Sequence, residues 1–96
     1  DLWQPDITWC GGITAGLRIL DLARAEGIPV TPHRGHEVWG LHLIVSSDCM
    51  DLAEVNQGER GATGDELWTG RPRAIDGYIE PSDAPGFGVK PNEAML

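Results

Sequence analysis

Three residues of this 96-residue chain have the right types and spacing to move a proton together: Asp6, His33 and Glu54. An imidazole titrates near neutral pH without help, and a carboxylate bonded to one ring nitrogen fixes its tautomer and raises its basicity. A second carboxylate on a neighbouring strand would bond the substrate or deliver a proton from the other side. Each residue also has a structural reading. Aspartates cap strand ends, a histidine after proline is commonly a loop residue, and a lone glutamate is usually solvated. Their joint placement at three successive strand ends gives the set its meaning. Asp51 is the rival to Glu54, and Arg34 reads either as a cation reaching a carboxylate or hydroxyl at the same mouth or as a solvated arginine.

The elements that must position them follow from periodicity. Residues 2–8 read as a short strand ended by Pro5 and Gly11-Gly12. From Ile13 to Glu26, Ala15, Ile19, Leu22 and Ala23 recur at helical spacing, widened by Leu17 and Leu20, with Arg18, Asp21 and Arg24 largely opposite. Gly27 stands where a left-handed glycine closes a helix. Residues 28–32 read as a second strand ending at His33. Strand, helix, strand with so long a connection predicts a parallel pair. Glu37–Ser46 reads as the next helix, and Met50–Val55 as a third strand carrying Glu54. Beyond Asn56 the texture turns irregular. Residues 76–90 read as two strand fragments around turns, of which Pro85-Gly86 is the strongest signal. Ligands of parallel α/β architectures sit at the carboxyl ends of the strands, where all three residues fall. Three parallel strands leave a raw edge, so further strands are expected before Asp1 or on another polypeptide.

Composition narrows the partners. With 15 acidic against 7 basic residues and a net charge of −8, nucleic acid and anionic membrane are disfavoured. No apolar run approaches the roughly 18 residues of a membrane span. Cys10 and Cys49 are expected as reduced thiols in a cytoplasmic protein. His33-Arg34-Gly35-His36-Glu37 lacks the spacing of a zinc helix. His36 and His42 receive no role, and Trp3, Trp39 and Trp68 are expected to pack. The two glycines are weak evidence for phosphate binding, since a tight turn explains them.

Gln4-Pro5-Asp6, Cys10-Gly11-Gly12-Ile13-Thr14, Leu22-Ala23, Gly27-Ile28-Pro29-Val30 and Pro32-His33 together resemble the enolase superfamily, in its mandelate-racemase-like subgroup. Asp6 and His33 stand 27 positions apart, as the subgroup's His–Asp dyad requires, and 81–89 is similar to the tail that follows its barrel. The resemblance implies an α/β fold: the last three strands of a modified (β/α)-barrel over 1–56, and an extension over 57–96 packing on an α+β capping domain. It implies His33 as general base or acid, Asp6 as its orienting partner, and Glu54 bonding the substrate carboxylate. It implies Mg²⁺, with ligands outside this chain, and abstraction of the proton α to a carboxylate. Asp6-Ile-Thr-Trp9-Cys10-Gly11-Gly12 is most similar to the acid-sugar dehydratases, rhamnonate dehydratases among them. The bulky, charged loop Arg34–Trp39 departs from them, which leaves the specific sugar acid open. The expectation is a lyase that needs the rest of its barrel and forms a homo-oligomer. A racemase or epimerase, and an inactive segment or interaction module, are the alternatives.

Overall fold

The computed structural model describes residues 1–55 and 67–96. The expected boundary at 56/57 and much of the irregular stretch after it lie outside the described residues. The framework is strand, helix, strand. Residues 3–6 and 30–33 run parallel, with bridges Trp3–Val30 and Asp6–His33. The Trp3 N–H donates to the Pro29 carbonyl, and the N–H groups of Thr31 and His33 donate back to Trp3 and Pro5, all at 3.0 Å.

Helix α1, Ile13–Glu26, connects them with the predicted bounds. Gly11 and Gly12 make the strand-to-helix turn at φ 112° and 85°, conformations that side-chain-bearing residues avoid. Gly27, at φ 65°, ends α1 and donates its N–H to Ala23 and Arg24. The buried face is narrower than the sequence suggests. Gly16, Leu20 and Ala23 are buried, whereas Leu17 and Leu22 of the predicted stripe face outward.

Helix α2, Val38–Val45, follows, with Glu37 and Ser46 as its caps. Val38, Gly40, Leu41, Leu43 and Ile44 are all buried, as in a helix apolar nearly all round. It crosses α1 where Gly16 leaves room: a Cβ there would lie 2.9 Å from Leu43 and 3.2 Å from Ile7. The core joins Ile7, Leu20, Ala23, Val30, Leu43, Ile44 and Met50, with Trp3 and Trp39 packed against it. Cys10 and Cys49 are unbridged.

Gly40 sits against the loop that carries the site. A Cβ on it would meet the Gly35 carbonyl oxygen at 3.1 Å and Cα at 3.2 Å, backbone atoms that cannot swing aside. Gly40→Val should therefore destabilise the complete protein by about 2 kcal/mol, the overpacking cost exceeding the helix propensity gained. Urea denaturation reads this directly, and an unchanged midpoint would contradict the contact.

The third strand is a correction. Residues 50–55 form no ladder. The edge of 30–33 that would receive them is weakened at Pro32, which has no N–H and whose carbonyl already accepts from Gly35 at 3.0 Å. The chain then turns away at Arg34, whose φ is 54°. Segment 50–55 is held instead by Met50 in the core, by Ala53 packed against it and by the contacts of Glu54.

In the C-terminal part, β1 (Trp68–Thr69) pairs antiparallel with β2 (Lys90–Pro91). Ile75 and Tyr78 bridge across Asp76-Gly77, which hold φ 51° and 84°, the left-handed pair a tight hairpin turn needs. The Pro85-Gly86 turn forms as expected, closed by Gly88 N–H to Pro85. A short 3₁₀ turn, Glu93–Met95, is capped by Asn92.

Candidate active site

His33 stands at the end of the second parallel segment because Pro32 before it is fully buried and the chain reverses after it. Its Nδ1 lies 2.8 Å from Glu54 Oε2. The imidazole is 43 % exposed and the carboxylate 29 %, so the pair is half-sheltered and open on one side. A carboxylate accepts only, so Nδ1 carries the proton and Nε2 is left as the ring nitrogen able to take one up.

Glu54 Oε2 also accepts the Arg34 N–H at 2.6 Å. The positive φ of Arg34 aims that amide. Its guanidinium pairs with the Glu37 carboxylate of its own turn, at 2.8 Å. Glu54 is held below the usual glutamate range, foremost by the Arg34 N–H; burial opposes this, and the charge and hydrogen bond of His33, then the charge of His36, add to it. Asp51 is exposed and lines a separate groove of about 800 Å³ between α2, residues 50–55 and residues 74–79. Glu54, not Asp51, is the carboxylate at His33.

Asp6 is bridged to His33 through the backbone. Its Oδ1 accepts from the Thr8 N–H at 2.8 Å, the Thr8 hydroxyl at 2.5 Å and the Trp9 N–H at 3.2 Å. Burial alone would raise its pKa, but these three bonds and the nearby His33 charge together lower it. Asp6 is thus an ionised neighbour of His33 locked into its own turn. Among the described residues, the hydrogen bond to the His33 ring comes from Glu54 and not from Asp6.

His36 had no role in the sequence reading. Its N–H donates to the Glu54 carbonyl at 3.1 Å, and its Nδ1 lies 2.9 Å from the same oxygen. The spacing of His36 to Glu54 carries no periodic signal, so only the folded chain reveals the contact. His42 bonds Val38 within α2 and packs edge-on against Phe87 at 5.4 Å.

A strand–helix–strand frame with a histidine at the end of its second strand, paired to a carboxylate from a later loop, is an α/β arrangement with its polar groups at the carboxyl end. Residues 1–95 match the model of the family described as enolase C-terminal domain-like, and the chain belongs to that family. It is 34% identical over 97 residues to an L-rhamnonate dehydratase of Saccharopolyspora erythraea, covering 96% of this chain and 25% of the relative. It superposes with a TM-score of 0.83 and 33% identity on a mandelate racemase/muconate lactonizing enzyme from Jannaschia sp. CCS1, covering 98% of this chain and 25% of that one. An enolase from Pantoea ananatis, solved with bound D-gluconate and Mg, superposes at 0.77 with 25% identity, covering 99% and 24%. The chain therefore corresponds to about a quarter of the enolase-superfamily enzymes it matches, in their C-terminal part.

The residues described do not make up a Mg²⁺ site. No group of three or more His, Cys, Asp or Glu among them is placed to hold a metal ion, and the Glu54 oxygen nearest His33 already accepts two N–H donors.

Proposed function

We propose that the complete protein is a hydro-lyase that dehydrates an acid sugar, an aldonate such as L-rhamnonate. The observation that carries this is the His33–Glu54 pair, with Nδ1 fixed on a carboxylate at 2.8 Å and Nε2 left to work. Abstraction of a proton α to a carboxylate needs a base of near-neutral pKa held in one tautomer. Residues 1–56 supply the last strands and helices of the barrel, and 57–96 the extension that packs on the capping domain. Exposed Leu22, Leu52, Ile75 and Tyr78 suit surfaces that the rest of the polypeptide covers. Mg²⁺ belongs to carboxylates outside this chain.

In this reading His33 Nε2 takes the C2 proton, and the electron pair left behind spreads into the carboxylate. The pair returns as the C3–O bond breaks, and the hydroxyl leaves as water with a proton, for which the His33 imidazolium is the nearest donor. The enol formed becomes a 2-keto-3-deoxy acid. Asp6, ionised and fixed in its own turn, supplies negative charge beside His33 as its orienting partner. Glu54 holds Nδ1, and it would bond the substrate carboxylate only on taking up a proton itself, since an ionised carboxylate accepts only. A racemase or epimerase would use the same proton transfer without loss of water, a reading favoured by the mandelate racemase-type neighbour.

Product analysis separates them. The complete protein, given L-rhamnonate or D-gluconate with Mg²⁺, should release a 2-keto-3-deoxy acid. Loss of optical rotation with no keto product would sink the dehydratase reading in favour of racemisation.

A further inference from the structure

Residues 34–36 grip Glu54 at both of its ends. The Arg34 N–H holds the carboxylate. Two residues on, the His36 N–H and Nδ1 converge on the Glu54 carbonyl at 3.1 and 2.9 Å. A carbonyl only accepts, so His36 Nδ1 bears a proton. Between them Gly35 is buried, and a Cβ there would meet Ile44 at 2.9 Å and the Pro32 carbonyl at 3.1 Å. The tripeptide therefore lies flat against the neighbouring backbone. The Arg34–Glu37 ion pair, at 2.8 Å and with Glu37 only 13 % exposed, keeps the turn in shape.

Segment 50–55 has no ladder to fix the height of Glu54 along His33. From this the geometry points to His36 as a positioning residue: through its Nδ1–H it holds the Glu54 backbone where the carboxylate meets His33 Nδ1. The inference deepens the reading of His33 as proton carrier and rests on it for its catalytic consequence, though not for its geometry. His36 touches no reacting atom. It substitutes for the missing strand pairing, two hydrogen bonds from one residue doing what a ladder does elsewhere.

The test uses the complete protein labelled with ¹⁵N-histidine, whose ring shifts report the tautomer of each imidazole. In the wild type both His33 and His36 should be Nδ1–H forms, the His36 proton protected from solvent exchange. His36→Ala should leave His33 in mixed tautomers, and His36→Asn, which restores a donor near the Nδ1 position, should return it to one. With L-rhamnonate in D₂O, His36→Ala should slow α-proton exchange about 10- to 100-fold with KM little changed, and His36→Asn should recover most of it. A His36 in the Nε2–H form overturns the proposal without any variant, so it stays decidable even where His36→Ala fails to fold. An unchanged His33 tautomer in folded His36→Ala overturns it too. If neither aldonate reacts while the tautomers behave as stated, the positioning role holds and the dehydratase reading falls.

Discussion

Replacing His33 with Asn in the complete protein should remove exchange of the substrate α-proton with deuterated solvent, a loss on the order of 10²–10⁴-fold. The fold should survive. The side chain is 43 % exposed and, among the described residues, makes one polar contact, to Glu54, so little packing is lost. Asn can still donate towards Glu54 but has no nitrogen able to accept a proton near neutral pH, so position is retained while basicity is removed. Thermal melting alongside exchange separates these effects. Exchange at the wild-type rate would assign the chemistry to another base, with a lysine outside this chain as the first suspect.

Glu54→Gln should be the next most damaging change. The amide oxygen accepts from the Arg34 N–H or from His33, but it carries no charge to stabilise an imidazolium. A loss of about 10- to 100-fold in turnover is expected from the displaced or weakened imidazole, with about 1 kcal/mol of stability lost, the low end for charge-assisted bonds because the group is partly solvated. The pH dependence has a defined sign. Glu54 is lowered from 4.5 in the folded state, so its contribution is fully present above about pH 4.5 and is lost as pH falls through the lower folded value. Glu54→Gln should therefore flatten the acid limb of the melting curve relative to wild type. A variant whose acid limb matches the wild type would show that Glu54 is not held as described.

How much of this was legible beforehand differs by element. Helix α1 was readable to its ends because its signals are local: a periodic stripe, a glycine turn before it and a glycine after it. The parallel pairing of 3–6 with 30–33 followed from the length of the connection. Which leucines of α1 face inward did not, since α2 covers the Gly16 side of α1 and leaves Leu17 and Leu22 exposed. The strand at 50–55 failed because Pro32 and the turn at Arg34 weaken and shorten the edge that would receive it, and the turn is visible only in three dimensions. In the site, Asp6 and His33 were found by spacing, and Glu54 by its place on the stretch 50–55, read as a third strand, and by the family resemblance. The hydrogen bond expected between Asp6 and the imidazole goes to Glu54, because Thr8 and Trp9 satisfy Asp6 first. His36 was invisible, since a carbonyl 18 residues away leaves no mark on a sequence.

The two carboxylates beside His33 also differ in how they come loose. Asp6 and the His33 amide belong to one ladder closed over α1, so the His33 N–H, bonded to Pro5, exchanges its proton only when the whole strand–helix–strand unit opens. The His36 N–H is bonded to a segment with no ladder of its own, and it is released by a local lifting of residues 50–55, a smaller event with a smaller free energy. One wall of the site is thus as durable as the domain, and the other breathes independently. A base fixed on the durable wall keeps its aim, and the bonds of Arg34 and His36 to Glu54 are what tie the other wall to it.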